Sequence, residues 1–77
     1  MGNITSYEVK TIYRDELTGI CTLDDKDYIN AGDFLHIYNV LLELGFESYS
    51  YENKPHFKKY DKNDNYTVFV VFDPYIE

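Results

Sequence analysis

The hydrophobic pattern predicts one helix set among strands. From Ala31 to Leu44 apolar residues recur at helical spacing. Both ends carry matching signals. Asn30 stands at the N-cap, and Asp33 follows in the first turn, where a carboxylate suits the positive end of the helix dipole. Ile29 and Phe34 have the spacing of a hydrophobic staple. Gly45 falls at C′, and Leu41 and Phe46 are spaced for the apolar contact of a Schellman cap.

The rest alternates with a period of two. Ser6 to Arg14 puts Tyr7, Val9, Thr11 and Tyr13 on one face and Glu8, Lys10 and Ile12 on the other. Asp15 to Gly19 reads as a turn into a short strand, Gly19 to Leu23, followed by a polar turn at Asp24, Asp25 and Asp27. Phe46 to Tyr51 alternates again until Asn53-Lys54-Pro55. A hairpin then joins Phe57–Tyr60 to Tyr66–Phe72 through Lys62-Asn63-Asp64-Asn65, and Asp73-Pro74 is expected to end it. The YTVFVVF strand is apolar on both faces, so it should be central or covered on both sides. The expected fold is α+β in ββαβββ order, a mostly antiparallel sheet of four to five strands with one helix packed on it, as a single domain over 1–77.

Size and charge narrow the functions. A chain of 77 residues buries about 60–65% of its unfolded surface, enough to fold alone with little stability to spare. Nine Tyr and five Phe argue for a folded core and against disorder. The net charge of −7 and a single Arg, Arg14, disfavour direct nucleic-acid binding, which needs clustered cations against phosphates. The same acidity disfavours anionic membranes, and no apolar run is long enough to span a bilayer. The start MGNITSYEVK lacks the apolar core of a signal peptide, and Cys21 has no partner for an internal disulfide, so a cytoplasmic, reducing compartment is expected. Met1 to Ser6 fits the loose myristoylation pattern, a six-residue match common by chance.

Leu23 to Leu35 resembles the back half of a calcium-binding EF-hand loop, and the metal-binding register fails. With Asp33 at the twelfth position, Lys26 falls at the fifth, where a ligand oxygen is required. With Asp25 at the first, the fifth is Ile29 and the twelfth His36. The resemblance covers only Tyr28 to Leu35, so neither metal nor cofactor is expected. Catalytic groups are equally sparse. Cys21 reads as a buried strand thiol, His36 as a polar helix position, and His56 as a loop residue. The chain is expected not to be an enzyme.

Two residue classes are in excess. At 100° per residue the helix carries an apolar arc of roughly 220°, where packing on a sheet needs little over 100°. Pro55, Phe57 and loop tyrosines could fold over one flank; otherwise Leu35, Tyr38 and Leu42, or Val40 and Leu44, form an oligomer interface or partner surface. Tyrosines beside carboxylates suit protein recognition. These residues predict a partner-binding patch with Asp24, Asp25, Asp27, Glu47 and Glu52 as charges and Tyr49 and Tyr51 as anchors. The expected function is binding to a protein with a basic surface, such as a nucleic-acid enzyme. In type the chain resembles small phage or mobile-element inhibitors, including DNA mimics and anti-CRISPR proteins. The alternative is a homo-oligomeric assembly protein, at its simplest a homodimer, pairing through the helix face or the C-terminal strand.

Overall fold

Asp15 starts the fold by closing a turn on itself. Its Oδ1 accepts the N–H groups of Leu17 at 2.8 Å and Thr18 at 3.3 Å, and Gly19 supplies the positive φ, 75°, that reverses the chain. In the computed structural model, which describes residues 4–76, this turn joins β1 (Ile4–Asp15) to β2 (Cys21–Asn30). The residues at the start of the myristoylation match, Met1 to Asn3, lie outside the described residues. A 3₁₀ turn, Ala31–Asp33, leads into α1 (Phe34–Glu43), followed by β3 (Glu47–Tyr51), β4 (Lys54–Asp61) and β5 (Tyr66–Ile76). The five strands form one antiparallel sheet in the order β2-β1-β5-β4-β3. The fold is α+β in the expected order, with the YTVFVVF strand at its centre.

Three strand limits differ from the sequence pattern. The Asp24, Asp25, Asp27 stretch is strand rather than turn: β2 pairs with β1 up to Ser6↔Asn30, and Asp24 is the extra residue of a bulge between Thr11↔Asp25 and Ile12↔Leu23. Pairing with a twelve-residue neighbour outweighs the weak strand preference of Asp. Charges and a bulge also suit an edge strand, because they block further pairing. Second, β4 begins at Lys54, since the break is a two-residue turn, Glu52-Asn53, with φ of 53° and 63°. Third, β5 runs through Asp73-Pro74 to Ile76. Beyond His56↔Val71, β4 and β5 no longer pair with each other, so Pro55 and Pro74 each sit where a strand has one neighbour only.

The helix ends behave largely as the local signals require. Asn30 is extended, with φ −72° and ψ 148°, although its side chain makes no capping bond. At the other end Phe46 N–H donates to Leu41 O at 3.0 Å and Gly45 N–H to Leu42 O at 3.1 Å, a Schellman cap with Gly45 at φ 95°. The helix passes from the β2 edge to the β3 edge over one sheet face. Beneath it Phe57 and Phe72 are fully buried, packed with Val70 and with Leu41 of the helix. Each buried Phe stabilises the fold by about 2–3 kcal/mol. Tyr7 stacks on Phe34 at 4.8 Å, and Phe34 and Phe72 meet edge-on at 5.2 Å.

The surplus of the helix is real, with one correction. Tyr38 turns inward, 5.1 Å from the Phe57 ring, with its hydroxyl on Ser48. Leu35, at 66% exposure, and Leu42, at 43%, stay on one outer flank, and Val40 and Leu44 are exposed on the other. Phe57 is core and covers neither. Among the described residues no helix is long and apolar enough to cross a membrane.

Candidate functional site

Strand alternation gives the sheet two unlike faces. One lies under α1. The other carries Glu8, Lys10, Ile12 and Arg14 from β1, Thr67, Phe69, Val71 and Asp73 from β5, and Lys54, His56, Lys58 and Tyr60 from β4. Glu47, Tyr49 and Tyr51 from β3 and Cys21, Leu23, Lys26 and Tyr28 from β2 share it. Among the described residues no helix or strand covers this open face.

The open face gathers the chain's positive charge. Lys10, Arg14, Lys26, Lys54 and Lys58 all project from it, five of the seven basic residues. Of the described carboxylates, Glu8, Glu47 and Asp73 share the face and Glu16 closes its end. Asp15, Asp24, Asp25, Asp27, Asp33, Glu43, Glu52, Asp61 and Asp64 lie elsewhere, against only Lys59 and Lys62 among the described residues. A chain of net charge −7 is therefore split into a nearly neutral sheet face and a strongly acidic remainder.

The charges on the face alternate. Lys26 reaches Glu8 at 3.6 Å, Lys10 bridges Glu8 at 3.2 Å and Asp73 at 3.3 Å, and Lys54 meets Asp73 at 2.9 Å. This row crosses four strands. The Lys54 and Lys10 ammonium groups hold the Asp73 carboxyl below its ordinary range, and Glu8 and Asp73 hold Lys10 above its own. At the far end Glu16 Oε1 accepts from Thr67 Oγ1 at 2.7 Å and from Arg14 Nε at 2.8 Å, which lowers its pKa. Between the ends lie Ile12, Phe69 and Val71, half-buried. The Arg14 guanidinium lies 4.9 Å from the Phe69 ring centre, and the Lys58 ammonium 5.4 Å from that of Tyr49.

The residues expected to form one partner patch fall into two groups. Asp24, Asp25 and Asp27 sit on the β2 edge, Asp25 and Asp27 on the helix side. Glu47, Tyr49 and Tyr51 sit on the open face of β3, at the opposite edge, with Glu52 in the adjoining turn. Four inter-strand steps separate the groups, about 19 Å. Of the expected oligomer residues, Leu35 and Leu42 share an exposed flank and Tyr38 belongs to the core side. The clustering of five cations escaped the sequence reading. The outward face of β1 was legible, but the strands beside it were not.

The candidate catalytic side chains do not converge. Ser48 and His56 line a common groove of about 410 Å³, yet Ser48 pairs with Phe57 on the helix side while His56 faces the opposite way. Ser48 Oγ is engaged by Tyr38, and His56 Nδ1 lies 3.0 Å from Lys54 O. Cys21 is exposed rather than buried, because it pairs with Arg14 on an edge strand. Among the described residues no group of three His, Cys, Asp or Glu could hold a metal ion. A second groove, about 440 Å³, is lined by Arg14, Lys58, Lys59, Glu47, Tyr60 and Thr67. Its lysines are engaged: Lys59 Nζ donates to Leu44 O at 2.7 Å, and Lys58 stands over Tyr49.

No family model matches this sequence, and neither a curated protein nor a solved structure matches it.

Proposed function

We propose that this chain works without catalysis, inside the cell, by binding a protein that has a basic surface. The observation that carries the reading is the charge division: the carboxylates off the open face meet almost no cations, and Asp24, Asp25 and Asp27 concentrate on one exposed strand edge. Such an edge steers association toward a positive patch and resists strand pairing there. A nucleic-acid enzyme offers such a patch, and occupying it blocks the enzyme's substrate. This is the mode of small phage and mobile-element inhibitors that mimic DNA. Tyr49 and Tyr51 belong to the other surface and anchor the complex only where the partner wraps the β3 edge.

Affinity capture with the wild-type chain and with a triple variant, Asp24→Asn, Asp25→Asn, Asp27→Asn, tests the proposal. The wild type should retain a partner that salt elutes and that loses nucleic-acid binding in the complex. The triple variant should lose that partner while keeping its fold. Equal capture by both chains, or capture insensitive to salt, overturns the reading.

A further inference from the structure

The open face poses a separate question, independent of the acidic edge. β5 is apolar on both sides: Val70 and Phe72 point into the core, while Phe69 and Val71 point onto a face that no described element covers. Central strands apolar on both sides belong to sheets covered on both sides, and domains are built of packed layers. Among the described residues the buried hydrophobic core is small: Leu41, Phe57, Val70 and Phe72.

The face has the anatomy of an interface. Ile12, Phe69 and Val71 form an apolar centre, and ion pairs lie toward both ends. Tyr28, Tyr51 and Tyr60 stand around it at 54%, 60% and 57% exposure. Interfaces show this arrangement, with Tyr and Arg enriched and charge moved to the rim. Five strands at about 4.8 Å and six residues at about 3.3 Å give a footprint of roughly 480 Å² before side-chain relief, a modest interface against the standard of about 800 Å² per partner.

Charge selects the occupant. Two chains of −7 repel wherever their acidic sides meet. The open face is the surface where cations and carboxylates nearly balance, and its alternating row of Lys26, Glu8, Lys10, Asp73 and Lys54 offers both signs to an identical surface. A polyanion is disfavoured there, since Lys10, Lys26, Lys54 and Arg14 already hold carboxylates. We infer that a second copy of this chain covers the open face, forming a two-fold, sheet-to-sheet dimer that leaves both acidic edges outward.

Sedimentation equilibrium of the full chain, from about 5 to about 500 µM, tests this, because mass action makes a dimer concentration-dependent. The mass should rise from 9.2 kDa toward twice that value. Val71→Lys and the exposed-site variant Tyr51→Glu should each weaken the dimer at least about tenfold, with circular dichroism unchanged, while Leu42→Glu on the helix flank should leave it intact. A 9.2 kDa species throughout overturns the inference, and is the result expected if a different protein covers the face. A dimer broken by Leu42→Glu but kept by Val71→Lys and Tyr51→Glu also overturns it. The Asp24, Asp25, Asp27 triple variant should still dimerise. Loss of that dimer overturns the inference, whereas unchanged partner capture by the same variant overturns the acidic-edge reading alone.

Discussion

Thr67 Oγ1 donates to Glu16 Oε1 at 2.7 Å, tying the first hairpin turn to the central strand across 51 residues of sequence. Among the described residues Thr67 is the buried polar residue of the sheet, at 5% exposure, and Glu16 is where its hydroxyl finds a partner. Arg14 joins the same oxygen from β1. The open end of the sheet is thus closed by polar contacts rather than by the helix.

This contact predicts coupled substitutions. Thr67→Val and Glu16→Ala should each lower the melting temperature, and the double variant should lose less than the two separate losses together, since either change removes the same bond. A double-mutant cycle by thermal unfolding reads this directly. Strict additivity would show that the bond contributes nothing.

The ionic row predicts an acid-sensitive contribution to stability. Asp73 is held below its unfolded value by Lys54 and Lys10, so the stability it contributes is complete above about pH 4 and is lost as pH falls through its folded pKa. Lys10 is raised above its unfolded value, so its share is complete below about pH 10 and is lost as pH rises through its folded pKa. Melting curves of wild type and Asp73→Asn should differ at about pH 6 and converge as pH falls through the folded pKa of Asp73. A gap that persists in acid would mean that Asp73 acts through packing rather than charge.

Gly45 and Gly32 predict opposite responses to the same change. Gly45 has φ 95°, and a Cβ there meets Lys59 Cε at an ordinary 3.6 Å, so space is available and the backbone angle is the obstacle. Gly45→Ala should cost about 1–2 kcal/mol in urea unfolding. Gly32 lies in the 3₁₀ turn with open space around it, and Gly32→Ala should be neutral or slightly stabilising. Equal effects would remove the Schellman cap as the reason for Gly45.

The local signals were legible because their physics is local. Gly45 ends the helix and Phe46 returns its N–H to Leu41 within six residues, so composition and spacing suffice. Alternation in β1 likewise separates Tyr7 and Val9 from Glu8 and Lys10 without knowledge of neighbours. Limits set by pairing were not legible. Asp24, Asp25 and Asp27 look like a turn until β1 runs beside them, and Pro74 looks like a stop until β5 is seen with a single neighbour there.

The sequence by itself determined an acidic chain, one capped helix, alternating strands and a last strand apolar on both sides, because each follows from spacing along the backbone. The tertiary structure alone decided that Lys10, Arg14, Lys26, Lys54 and Lys58 share one face while Asp24, Asp25 and Asp27 stand apart from Tyr49 and Tyr51. Strand order sets these distances. That order comes from burying Phe57, Val70 and Phe72 together under a helix that crosses the whole sheet, a non-local condition that no window of sequence contains.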